Sequence, residues 1–274
     1  AISLLEEAAK ITHENVNVWI NLGAALQDDG KIDDAKLAYQ KAFVINPNSA
    51  EIINNLGAIA RATGDLESTL QYLEKVVTIE PSVAEAHSNL GNILRELGRL
   101  EDAEKSYLKA IAIKPELVEA HYHLGNTLKK LSRLEDAEKS YNKAISIKPE
   151  LAEAHYHLAN TLEKLSRLED AEKSYKRAIA IKPEFAEAHF NLGNTLKDLS
   201  RLEDAEMSYK KAIEMRTEFA EAYSNLGSTL QELGRLDDAD DCYRLMISVK
   251  SEQVSDATNT PVTALIPFGR AGSL

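Results

Sequence analysis

Three residue types in this chain could do chemistry, and their spacing decides how much. Seven histidines would suit a metal or a proton relay, yet His87, His121, His155 and His189 stand 34 residues apart. Packed helices lie about 8–10 Å apart, so such residues cannot share an ion held at about 2 Å. His121/His123 and His155/His157 are i,i+2 pairs and leave a helix in different directions. Core packing is the expected role of this column, with no metal site. Cys242 is the only cysteine, which excludes an intrachain disulfide framework and a thiolate-rich zinc site. It shares a slot with Ser106, Ser140, Ser174 and Ser208, expected at the surface. No nucleophile elbow, HExxH helix, GKS/T loop or carboxylate pair occurs in residues 1–253, so neither a catalytic group nor a cofactor is expected there.

Asparagine is the third type, and it comes in two columns. Two residues before a recurring Gly stand Asn21, Asn55, Asn89, His123, His157, Asn191 and Asn225. One residue after it stand Ala24, Ala58, Asn92, Asn126, Asn160, Asn194 and Ser228. An amide tip both donates and accepts, so it can bond the two polar groups of a peptide backbone. Just before the first column come Tyr122, Tyr156 and Phe190, whose rings either pack between helices, the favoured reading, or form a patch that reads ligand side chains.

The elements that carry these columns follow from a 34-residue period. Leu-Gly returns at Gly23, Gly57, Gly91, Gly125, Gly193 and Gly227, with Ala159 in the remaining slot. Ala35, Ala103 and Ala137 fall twelve residues later, and Tyr39, Tyr107 and Tyr141 four beyond those. Pro47, Pro81, Pro115, Pro149 and Pro183 close the units and push the preceding residue out of the helical region. Apolar spacings of 4, 4 and 3 across residues 119–131 predict an amphipathic first helix, and residues 134–147 a second. Glu101/Lys105, Glu135/Lys139 and Glu169/Lys173 are expected to form i,i+4 pairs on the solvent face. Small Gly and Ala columns let the two helices of a hairpin approach closely. Such hairpins cannot bury their apolar faces alone and must stack. Seven full units span residues 16–253, preceded by residues 1–15 as the second helix of a truncated unit, so the chain is expected to be a fragment of something longer.

Composition agrees. The 274 residues carry 32 basic and 44 acidic side chains, a net charge of −12 that argues against binding a phosphate backbone. No window of 18 apolar residues exists to span a membrane. The expected compartment is the cytoplasm.

The period, with Trp19, Leu-Gly, the small Ala, the Tyr and the Pro, resembles the tetratricopeptide repeat (TPR). That resemblance implies an all-α fold, a right-handed solenoid whose inner groove is lined by the first helix of each unit. The Asn-Leu-Gly-Asn wording at 89–92 and 191–194 is similar to the superhelix of O-linked N-acetylglucosamine transferases, which implies an asparagine ladder that holds an extended peptide. Extended chain advances about 3.3 Å per residue, so one Asn per repeat would meet roughly every third residue of a ligand. The alternative is that these amides solvate the inner face or cross-link neighbouring repeats. Carboxylate-clamp repeats fit less well, because six residues before the Gly stand Glu51, Glu85, Glu119, Glu153, Glu187 and Glu221. Exposed, this column would favour a basic partner.

Beyond Gln253 the period stops, and residues 254–274 are expected to be a linker and tail. Val262 to Phe268 reads as a short strand followed by Gly269, Arg270, Gly272 and Ser273, which resembles the opening phosphate loop of a sulfotransferase domain. The alternative is an unstructured tail. The functional expectation is a protein-interaction scaffold. The alternatives are the recruiting module of a longer transferase and a self-association module.

Overall fold

The computed structural model describes residues 2–259, with side chains to residue 251. Fifteen helices and no strand occupy the described residues. They fall into two units, the first ending at Leu165 and the second beginning at Ser166. The first holds α1 (Ile2–Ile11), α2 (Val16–Asp28), α3 (Ile32–Ile45), α4 (Ala50–Ala62), α5 (Leu66–Ile79), α6 (Ala84–Glu96), α7 (Leu100–Ile113), α8 (Val118–Lys130), α9 (Leu134–Ile147) and α10 (Ala152–Lys164). The second holds α11 (Leu168–Ile181), α12 (Ala186–Asp198), α13 (Leu202–Met215), α14 (Ala220–Glu232) and α15 (Leu236–Asn259). The last helix runs through residues 255–259, read from sequence as linker. The strand and glycine loop expected over 262–274 lie outside the described residues.

Within the first unit α2 packs on α3, α4 on α5, α6 on α7 and α8 on α9; in the second α12 packs on α13 and α14 on α15. These are the hairpins the period predicts. First helices also touch across repeats, α6 with α8, α8 with α10 and α12 with α14, whereas no second-to-second contact of that extent occurs among the described residues. The first helices therefore form the tighter, inner layer of each unit.

The core of a hairpin is a phenol ring set against a glycine. Tyr107 and Tyr141 are fully buried, and a Cβ built on Gly91 or Gly125 would sit 2.7 Å from the facing ring. The Gly column thus makes room for the Tyr column sixteen residues on. Where Leu73 replaces the Tyr, the crowding vanishes: a Cβ on Gly57 meets nothing nearer than 3.4 Å.

Turns between the two helices are left-handed. Gly30, Gly64, Gly98 and Gly234 take φ 77°, and the same place is filled by Ser132, Ser166 and Ser200 at φ 58–60°. The bond from Arg133 N–H back to the Leu128 carbonyl, at 2.9 Å, closes a Schellman turn around Ser132.

The solvent-face pairs differ from the expected ones. Lys105 and Lys139 bond Asp102 and Asp136 at 3.1 Å, not the glutamates one position earlier, and Lys173 bonds Asp170 at 3.0 Å. Arg99, Arg133 and Arg167 bond the other oxygen of the same carboxylates. Cys242 also departs from expectation. It is buried, as are Ser106, Ser140 and Ser208, whose hydroxyls bond the carbonyl four residues back. Burial pushes the Cys242 thiol above its ordinary value.

Candidate functional site: the inner face of the first helices

The histidine column is anchored in the hinge between repeats. Nε2 of His87, His155 and His189 lies 3.0 Å from the carbonyl of Pro81, Pro149 and Pro183, and that of His121 lies 2.9 Å from Pro115. Trp19 makes the same contact, its Nε1 donating to the His13 carbonyl at 2.9 Å. Each ring N–H thus satisfies a carbonyl of the loop between repeats, which lies outside the helical ladders.

The two asparagine columns have different roles. In the column after the Gly, the Oδ1 of Asn92, Asn126 and Asn194 accepts the hydroxyl of Tyr107, Tyr141 and Tyr209, each at 2.8 Å. Burial raises those phenols above their ordinary range, so the hydroxyl keeps its proton and donates. These amides hold the two helices of one repeat together. Repeats lacking the Asn improvise: Tyr39 approaches Gln27 at 3.5 Å and Tyr243 approaches Gln231 at 3.4 Å. Where the Tyr is missing, as at Leu73, the Asn is missing too, at Ala58.

The column before the Gly is more open. Asn21 and Asn89 are exposed, while Asn55, Asn191 and Asn225 are partly exposed. Asn225 turns inward, donating to Asn194 Oδ1 at 2.8 Å. Asn160 is partly buried, in the column of Asn92. A cleft of about 390 Å³ runs between α4 and α6, with Asn54, Arg61, Glu85 and Asn89 on its walls.

In the next two repeats rings replace the amides. His123 lies between Tyr107, 6.1 Å away and stacked, and Tyr122 at 5.1 Å. Tyr122 reaches His157 at 5.7 Å, and Tyr156 meets His157 edge-on at 5.2 Å. In the second unit Phe190 packs on Phe219 at 4.7 Å. The rings pack on one another, yet Tyr122 and His123 also wall a cleft of about 290 Å³ with Glu119, Lys148 and Glu153. Burial first, and the Arg95 charge second, push His123 down to about 4. His157 is pushed down to about 4 by burial and by Lys129. Both imidazoles are neutral at pH 7.

Part of the glutamate column is already neutralised. Glu85 pairs with Lys114 at 2.6 Å and Glu187 with Arg216 at 2.8 Å. A column the sequence reading passed over faces it. Four residues after the Gly come Gln27, Arg61, Arg95, Lys129, Glu163, Lys197 and Gln231. Lys129 Nζ lies 3.3 Å from His157 Nδ1, and Lys197 donates to Ser228 at 2.8 Å. Lys129 thus sits beside the residue two before the next repeat's Gly slot and Lys197 beside the residue one after it, juxtapositions that only the stacking of repeats creates.

Residues 91–132, 125–166 and 164–200 match a family model described as TPR repeat. Residues 16–49 and 186–219, 49–79, and 208–241 match models described as Tetratricopeptide repeat. The chain belongs to the tetratricopeptide repeat family. A comparison with curated protein sequences gives no match. Among solved structures, the TPR chain is similar to MamA at TM-score 0.59 and 25% identity, covering 61% of this chain and 97% of that one. It is similar to MamA from Desulfovibrio magneticus RS-1 at TM-score 0.59 and 22% identity, over 62% of this chain and 96% of the other. It is also similar to YrrB, described as a TPR protein with an unusual peptide-binding site, at TM-score 0.60 and 20% identity, over 69% of this chain and 97% of that one. No helix among the described residues is long and apolar enough to cross a membrane.

Proposed function

We propose that this TPR scaffold holds an extended peptide against the inner helices of its units by backbone contacts. The observation that carries the reading is the open amide column of α2, α4 and α6, where Asn21 and Asn89 are exposed and Asn55 partly so. Each supplies a donor and an acceptor, and their helical spacing of about 10 Å suits every third residue of an extended chain. Asn92, Asn126 and Asn194 support the site from behind by fixing the hairpins. YrrB, with its peptide-binding site, lends the reading fold-level support.

Backbone reading has a direct test. A bound peptide N-methylated at every third residue should lose at least about tenfold in affinity, about 1.4 kcal/mol. The same peptide with its side chains shuffled should retain most of its affinity. Equal binding by the methylated peptide would refute backbone recognition.

Self-association is the second reading. Leu4 and Ile11 on α1 and Leu236, Leu245 and Ile247 on α15 are exposed apolar side chains, and exposed apolar surface marks contact sites when contiguous. Sedimentation over a concentration series would show dimers, and a strict monomer would end that reading. A role as the recruiting module of a longer transferase rests on residues 262–274, outside the described residues.

A further inference from the structure

We propose that the inner face of the first unit takes carboxylate side chains at Arg95 and its neighbours, so that the partner is an extended chain with acidic residues about every third position. This rests on the groove-binding reading above and reverses the charge that the glutamate column had implied.

Four observations converge. Arg61, Arg95 and Lys129 occupy the same register in three successive repeats, on α4, α6 and α8. The intervening step is one helix packing distance, about 8–10 Å, or about three residues of extended chain. Second, Arg95 and Lys129 have no carboxylate within ion-pair distance among the described residues, although Arg61 meets Glu96 at 3.2 Å. Third, Arg95 Nε and His123 Nδ1 are buried polar atoms without a hydrogen-bond partner. Native proteins seldom leave such atoms unpaired, and an acid bound at the partly exposed Arg95 side chain would supply its counter-charge. Fourth, the glutamate that shares a cleft with Arg61 is engaged elsewhere, Glu85 on Lys114 at 2.6 Å. Burial lowers the Lys129 ammonium below its ordinary value, which marks a half-buried cation lacking a counter-charge. The net charge of −12 opposes an acidic ligand only at long range. Beyond about 8 Å physiological salt screens it, and the contact-range cations decide.

The test uses the full chain and three labelled Gly/Ser peptides of about four helix spacings in length, with Glu, Gln or Lys at every third position. The Glu peptide should bind at least about tenfold tighter than the Gln peptide, and the Lys peptide weakest. R95Q should remove most of the Glu preference and leave Gln-peptide affinity unchanged. Should R95Q lose helical signal, K129Q carries the same comparison. Glu and Gln peptides binding equally, or Lys binding tightest, overturns the proposal. If Asn89→Ala still weakens the Gln peptide in that case, the groove reading survives. If none of the peptides binds, both readings fall.

Discussion

Asn92 and Asn89 are three positions apart and do different work, and the difference lies in what stands opposite. Asn92 meets the Tyr107 hydroxyl at 2.8 Å, while Asn89 meets solvent. The sequence carried a signal for this. Asn follows the Gly only in repeats with Tyr sixteen residues after it, and Ala58 accompanies Leu73. Comparing columns within the chain separates the structural amides from the open ones; comparing them with a family pattern does not. The same pairing governs the glycines. Gly193→Ala drives a Cβ to within 2.5 Å of the Tyr209 ring and should cost about 1–3 kcal/mol. Gly57→Ala has room and should gain about 0.5–1 kcal/mol by reducing unfolded-state freedom. Urea titrations of the two variants with matching m-values check the contrast. Ser132 and Ser200 hold positive φ at a cost of about 1–2 kcal/mol each. Ser132→Gly should therefore raise Tm, and an unchanged or lower Tm would show that the serine is not strained.

Helices and their boundaries were legible because the period writes them: residues 134–147 were expected and α9 spans Leu134–Ile147. Ion pairs between repeats were not, since they join residues 29 or more positions apart. The turn arginines show it. Arg133 grips Glu104 of the preceding repeat at 2.7 Å and Asp136 of its own at 3.0 Å. Arg201 and Arg235 likewise hold Glu172 and Glu206 at 2.8 Å. Burial alone would raise the Glu172 and Glu206 carboxyls, but bonds from Lys176 and Arg201, and from Lys210 and Arg235, hold both below the ordinary range. Asp65 sits in the arginine slot of its repeat, and Lys36 in the glutamate slot supplies the opposite charge. Arg201→Met should cost about 1–3 kcal/mol, because it leaves Glu172 partly buried without its bidentate partner. A loss below about 0.3 kcal/mol, within the range of an ordinary exposed pair, would show the clamp to be decorative.

Acid should unfold the chain by two additive routes. Glu172 and Glu206, depressed in the folded state, stabilise it above their unfolded values, and this is lost as pH falls through the folded ones. His123 and His157 are held down to about 4 against an ordinary value of 6.5, so the unfolded chain binds more protons between those limits. Stability therefore falls as pH drops from about 6.5 towards 4. His123→Phe should flatten that part of the profile, and an unaltered slope would contradict the burial assignment. The architecture was plain from the 34-residue period, and the polarity of the inner face was not. Its glutamates and its cations both recur in register, but which of them are paired emerges only when one repeat is laid against the next. The deciding measurement is the affinity of the Asn21→Ala/Asn55→Ala/Asn89→Ala triple variant for an extended peptide that the parent chain binds. A loss of at least about tenfold with an unchanged helical signal is expected. Unaltered affinity would mean that the inner amides do not hold the ligand.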